Sequence, residues 1–241
     1  AGEAVFMSGH PGGTDRLLTT SQLKFQRDAM LPLWLLRYAE LRGRLIQYGK
    51  QSPEALRRSQ DELNTLENSI KVRRKQLDTL HDDAFMEQRA SEEAALRAAV
   101  AANPELKATA GTAWDDIARA QQTYRNILLP YVFTEGAAGF NSQLYLYARA
   151  LVRSAAERSK PNTERLREYT DASLQRIERF LAAGTPVYPD LEEVKLSFSL
   201  ERMREWLGPD DPLVRSVFGR QSPDALAKAL IGGSKLADPA L

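Results

Sequence analysis

Only two histidines occur in the chain, His10 and His81, so any imidazole chemistry rests on them. His10 sits in the turn "GHPGGT" beside Pro11, and His81 at a helix end followed by Asp82-Asp83. A serine triad needs a histidine base and a carboxylate that orients it, and no G-x-S-x-G elbow marks a nucleophile. The local readings are a turn histidine bonding to its own backbone and a histidine favoured by a helix C-terminal dipole. The pair is far apart in sequence and there is no H-E-x-x-H, so no zinc signature arises. The Asp-Asp pairs at 82–83, 115–116 and 210–211 lack the oxygen spacing of a calcium loop and read as helix-start charges or solvated surface. "GHPGGT" is neither a P-loop nor a dinucleotide fingerprint. The amides around Gly12 and Gly13 read as a tight turn that glycine makes accessible, with an anion cradle as the other reading. "KVRRKQ" (71–76) is the one compact basic run; its default is a solvated helix face, without the wide basic surface and interleaved aromatics that nucleic acid binding calls for. No catalytic residue, metal ligand or cofactor is assigned on these grounds.

The elements that would hold such residues are helical. The chain has 241 residues, 43% hydrophobic and 27% charged, with a formal net charge of +1. These are globular values, and the charge imposes neither nucleic acid nor membrane binding. Cysteine is absent, which excludes disulfides, thiolate metal sites and cysteine nucleophiles. No apolar run approaches the roughly 20 residues of a membrane span. The chain opens at Ala1 inside a strand-like run, "AVFM" (4–7), and looks like a processed or excised piece of something longer.

After the opening strand and turn the period becomes that of helices. Ser21 is a plausible N-cap for a helix over 22–30, which Pro32 breaks or restarts. Trp34, Tyr38, Leu41, Leu45 and Tyr48 form one apolar stripe. "QSP" (51–53) reads as a cap with proline in the first helical position. The third helix carries Leu56, Leu63, Leu66, Ile70, Leu77 and Leu80 on one face and Asn64, Asn68, Lys71 and Lys75 on the other. A helix over 84–102 stops before Asn103-Pro104. Another, striped by Ile117, Tyr124 and Leu128, ends near Pro130, ahead of the loop "TEGAAGF" (134–140). Leu144 to Ala155 and Leu166 to Leu181 are helical. "AGTPVYP" (183–189) is the strongest break, and shorter helices cover 191–207, 211–218 and 223–231. The expected fold is mainly α, an antiparallel helical bundle with a short N-terminal β remnant. Residues 1–20 would be barrel end and linker, and 21–241 a helical domain with a sub-division near 183–189.

"GHPGGTDRLLT" (9–19) resembles the pattern G-[HY]-P-G-x-T-x-R-x-x-T of the bacterial dipeptidyl-peptidase 7/11 family of serine exopeptidases. Gly9, His10, Pro11, Gly12, Thr14, Arg16 and Thr19 match it. "LENSIK" (66–71) is similar to the family's L-x-N-x-x-K helix; "DDAFMEQRASEE" (82–93) and "SKLADPA" (234–240) are further family-like segments. Lys75 departs from the pattern, standing where glycine is common.

The resemblance implies a chymotrypsin-like barrel with a large helical insert, to which this chain contributes the last of the first barrel segment and most of the insert. The catalytic histidine and aspartate would precede Ala1 and the serine would follow Leu241. The chain itself would then be inactive, and His10 a motif residue. The resemblance also implies that an asparagine of the helical domain binds the free α-amino group of the substrate, and Asn68 matches it best. The expected partners are peptides with a free N-terminus and the protein's own catalytic barrel, with no nucleic acid, membrane or cofactor. The site of action is periplasmic or exported, and oligomeric state, homodimer included, stays open. The rivals are a stand-alone helical interaction module and a nucleic-acid contact through the Lys71–Lys75 face.

Overall fold

A computed structural model of the chain describes residues 17–236. The strand expected at 4–7, His10 and the glycine turn lie outside them. Among the described residues the protein is helical and has no strand. In chain order the α-helices are α1 (Thr20–Phe25), α2 (Leu31–Gly49), α3 (Pro53–Leu80), α4 (Asp83–Ala102), α5 (Pro104–Ala110) and α6 (Ala113–Phe133). They continue as α7 (Gln143–Arg158), α8 (Asp171–Ala182), α9 (Pro189–Leu207), α10 (Pro212–Phe218) and α11 (Pro223–Gly232).

The caps show why the helices start where they do. Thr19, not Ser21, caps α1: its side chain accepts from the Gln22 N–H, while Gln22 Oε1 accepts from the Thr19 N–H at 2.9 Å. This reciprocal box satisfies two amide donors, which Ser21, two residues further on, does not match. Ser52 Oγ accepts from the Ala55 N–H at 3.0 Å ahead of Pro53, as "QSP" predicts. Asn103 caps the short α5, with Pro104 in the first turn.

Pro32 stands in the first turn of a restarted helix, one of the two readings of its position, whereas Pro130 leaves its helix running on. Pro32 follows a π-helical stretch, Gln26–Met30, in which the Leu31 N–H bonds to the Gln26 carbonyl. The wider turn accommodates a residue without a donor, and α2 runs on from it. Pro130 lies inside α6, which runs to Phe133. The helix expected over 166–181 begins later: a 3₁₀ turn, Arg167–Tyr169, precedes α8.

The chain divides into two compact units, each with its own core. One comprises the residues up to Pro32 together with Lys75–Arg125. Its core is Leu23, Leu31, Leu80 and Met86, flanked by Leu18, Leu77 and Phe85. Glu93 Oε2 accepts from the Thr20 N–H at 2.6 Å, and the Phe25 and Tyr124 rings lie 5.2 Å apart.

The other unit comprises Leu33–Arg74 and the residues from Asn126 on. The α2 stripe supplies Leu41, Leu45 and Tyr48. They pack with Ala55, Leu63 and Leu66 of α3 and with Leu191 and Phe198 of α9. Leu56, expected on the apolar face of α3, is exposed. Phe133, Leu200 and Met203 are fully buried. Gly139 permits this: a Cβ there would stand 2.7 Å from the Phe133 carbonyl oxygen and 2.8 Å from Met203 Sδ.

Candidate functional site

The α2–α3 pair of the second unit holds Asn68, the residue singled out in the sequence. Leu63 and Leu66 of α3 are buried, while Asn64, Glu67 and Asn68 face solvent. The helix thus spends one face on the core and keeps the other free for polar work. Asn64 differs from Asn68 in being tied along the helix, its Oδ1 accepting from Gln60 Nε2 at 2.9 Å.

Beside this stretch lies a cavity of about 330 Å³. Trp34, Tyr38 and Leu41 of α2, Thr65 and Leu66 of α3, and Phe140 and Leu146 form much of its wall, and Arg37, Glu62 and Asn141 are its polar members. Asn68 is not among the lining residues; it follows Thr65 by three positions. The 136–141 loop closes one side. Ala137 there has φ +56°, a left-handed conformation that a non-glycine residue adopts only where the surroundings hold it.

Charged side chains knit the helices around the cavity. Lys195 Nζ of α9 lies 2.9 Å from Glu62 and 3.1 Å from Glu192. Glu192, buried, also accepts the Gln143 N–H at 2.5 Å, which fixes the start of α7. Burial works against the Lys195 charge, but the two carboxylates outweigh it and its pKa is raised. Arg202 joins Glu40 at 3.3 Å and Glu205 at 2.5 Å.

Arg37 is different. It is only 3% exposed. Its Nη2 donates to Ser199 Oγ at 3.0 Å and its guanidinium lies 5.2 Å over the Phe198 ring, but Nη1 is buried without a hydrogen bond. Burial pushes its pKa down to about 10. Sequence reasoning passed over it, although Arg37 falls three residues after Trp34, inside the apolar stripe of α2. A charge within such a stripe was the signal.

The other candidates take the roles of ordinary structure. All three Asp-Asp pairs sit at helix starts: Asp82 caps α4, Asp115 and Asp116 occupy the first turn of α6, and Asp211 caps α10. Among the described residues no cluster of three or more acidic or histidine side chains could hold a metal ion. His81 is exposed at the end of α3, its N–H bonded to the Leu77 carbonyl at 3.0 Å. Lys71, Arg74 and Lys75 are exposed, and Arg73 covers the Tyr38 ring at 5.1 Å. Among the described residues no helix is long and apolar enough to cross a membrane.

A search of the curated proteins returned no match. The family profile described as peptidase S46 matches residues 1–241, the whole chain. The chain therefore belongs to the peptidase S46 family, the dipeptidyl-peptidase 7/11 family that its opening motif and α3 resemble.

Proposed function

We propose that the chain is the helical cap, a bundle standing over a chymotrypsin-like barrel, of an exported or periplasmic serine dipeptidyl-peptidase. The cap closes the non-prime end of the cleft so that two residues fit before the scissile bond. The observation that carries this reading is the family match over the full chain; the helical architecture and the motif at 9–19 agree with it. Acyl transfer by a serine triad is the chemistry of the barrel, and the cap contributes position.

Within the cap, Asn68 is the proposed seat of the substrate's α-ammonium group. An ammonium held in a closed cleft needs acceptors, and an amide oxygen supplies one without burying a counter-charge. The exposed Asn68, backed by the buried Leu63 and Leu66, can face a cleft while its helix stays packed.

The test is an assay of the full reading frame against peptides with free and acetylated N-termini. Release of dipeptides from the free forms alone supports the reading. Cleavage of acetylated peptides at a comparable rate overturns it. The 241-residue chain alone should turn over neither.

A further inference from the structure

We infer that the Trp34–Tyr38–Phe140 cavity is a binding site for a carboxylate borne on an apolar carrier, with Arg37 as its charge partner. The inference stands apart from the role given to Asn68 and from catalysis. It starts from an unbonded donor: Arg37 Nη1, buried beside the cavity without a hydrogen bond. Glu62, which lines the cavity, turns to Lys195 at 2.9 Å, an ammonium it shares with Glu192. Glu40, on the same helix as Arg37, reaches Arg202 at 3.3 Å through one oxygen, its other oxygen being buried without a hydrogen bond. Among the described residues Arg37 forms no ion pair; a serine hydroxyl and an aromatic face are its direct contacts, and Glu40 and Glu62 act on it only from beyond ion-pair distance. A guanidinium removed from water with one amino group unbonded is unfavourable, and an anion that enters the cavity beside it offsets that cost.

The walls say what else the anion carries. Trp34, Tyr38, Leu41, Leu66, Phe140 and Leu146 are apolar or aromatic, and the Trp34 and Tyr38 rings lie 5.4 Å apart. Inorganic phosphate or sulfate would leave that surface uncovered, whereas an amino-acid-sized apolar group fills it. Arg73, 5.1 Å over the Tyr38 ring, adds a cation on one of the residues that line the cavity. The left-handed Ala137 and the tightly packed Gly136 and Gly139 hold the loop that shapes the remaining wall. Such a site is pre-formed and loses little to ordering on binding. The carboxylate can come from the C-terminus of a short peptide or from an acidic side chain; the chemistry at Arg37 is the same.

Calorimetric titration of the purified protein tests this with four probes: the dipeptide Leu-Phe, its C-terminal amide, the capped peptide N-acetyl-Leu-Glu amide, and its glutamine counterpart. At least one acid should bind with Kd between roughly 10 μM and 1 mM. It should bind ten- to a hundredfold, on the order of a charge-assisted hydrogen bond, more tightly than its neutral partner. Preference for Leu-Phe over its amide assigns the terminal carboxylate; preference for the glutamate peptide assigns the side chain. Arg37→Met should weaken the favoured acid by roughly the same factor and leave the neutral probe unchanged. Equal binding of acid and neutral forms, acid binding unaltered in Arg37→Met, or no saturable binding of any acid up to roughly 10 mM would overturn the assignment. The acid-against-neutral comparison uses the unmodified protein, so it decides the matter even if the Arg37 variant fails to fold.

Discussion

The ammonium of Lys195 in α9 lies 2.9 Å from the carboxylate of Glu62 in α3, and this contact is where the wall of the cavity meets the core. The same ammonium holds Glu192 at 3.1 Å, and Glu192 in turn holds the amide that begins α7. Three helices of the second unit are therefore registered by one cation. The ion set is worth more for fixing that register than for net stability, because each buried charge also carries a desolvation cost.

Lys195→Met should destabilise the protein by about 3–5 kcal/mol, since it strands Glu62 and the buried Glu192 without a cation. Replacing both acids by glutamine in the same background should recover most of the loss, because the Gln143 N–H keeps an acceptor. The sign of the pH dependence follows from the raised pKa of Lys195. Its contribution is complete below the unfolded value near 10.5 and is lost as pH climbs through the higher folded value. Thermal melts should show a gap between wild type and Lys195→Met that is flat at neutral pH and narrows once pH climbs past the unfolded value near 10.5. A gap that widens with pH would contradict the assignment.

Tyr48 gives a second alkaline signature. Its hydroxyl donates to Asp190 at 2.7 Å, and burial, reinforced by that carboxylate, pushes its pKa up to about 12. The folded state thus holds the phenol proton beyond the point at which an unfolded tyrosine loses it near 10, so stability falls as pH rises between those values. Tyr48→Phe should cost about 1 kcal/mol at neutral pH and should flatten this part of the decline. Urea unfolding of both proteins at neutral pH and near pH 11 measures the two effects.

Much of the fold was legible because it is local. The apolar stripes of α2 and α3, the Ser52 cap and the acidic helix starts each depend on residues within one or two turns. What escaped depends on residues distant in sequence or on a backbone device. The π-helical turn ahead of Pro32 joins α1 to α2, where proline chemistry alone left a break or a restart open. Leu56 touches the end of α2, near Gly49, and stays half-exposed, whereas Leu63 and Leu66 are enclosed in the core. Arg37 meets Ser199 across 162 positions, a juxtaposition that no periodicity encodes. Asn68 was singled out only through the resemblance of its helix, since an exposed asparagine carries no signal by itself.

Gly139→Ala tests the packing of the cavity loop. The added Cβ would stand within 2.8 Å of both a backbone oxygen and Met203 Sδ. Met203 can shift, but the Phe133 carbonyl belongs to the end of α6 and cannot move without it. A loss of about 1–3 kcal/mol is expected. Chemical denaturation reads it, and a change within error of zero would mean that the loop gives way.

The last prediction concerns Asn68 in the whole enzyme. If its amide oxygen accepts from the substrate ammonium, Asn68→Ala removes an acceptor from a desolvated charge. Hydrogen bonds to charged groups contribute about 1.5–3 kcal/mol, so kcat/KM for dipeptidyl substrates should fall roughly ten- to a hundredfold. Stability should hardly change, because Asn68 is exposed and the core contacts of α3 come from Leu63 and Leu66. Asn64, four residues earlier, is the control. It is also an exposed asparagine of α3, but its side chain is engaged with Gln60 at 2.9 Å. Asn64→Ala should leave kcat/KM within about twofold of wild type, the scale of an exposed substitution. Steady-state kinetics beside thermal melts separate the cases. Equal losses in the two variants would point to a general disturbance of α3, and full activity in Asn68→Ala at matched stability would remove the residue from the substrate site.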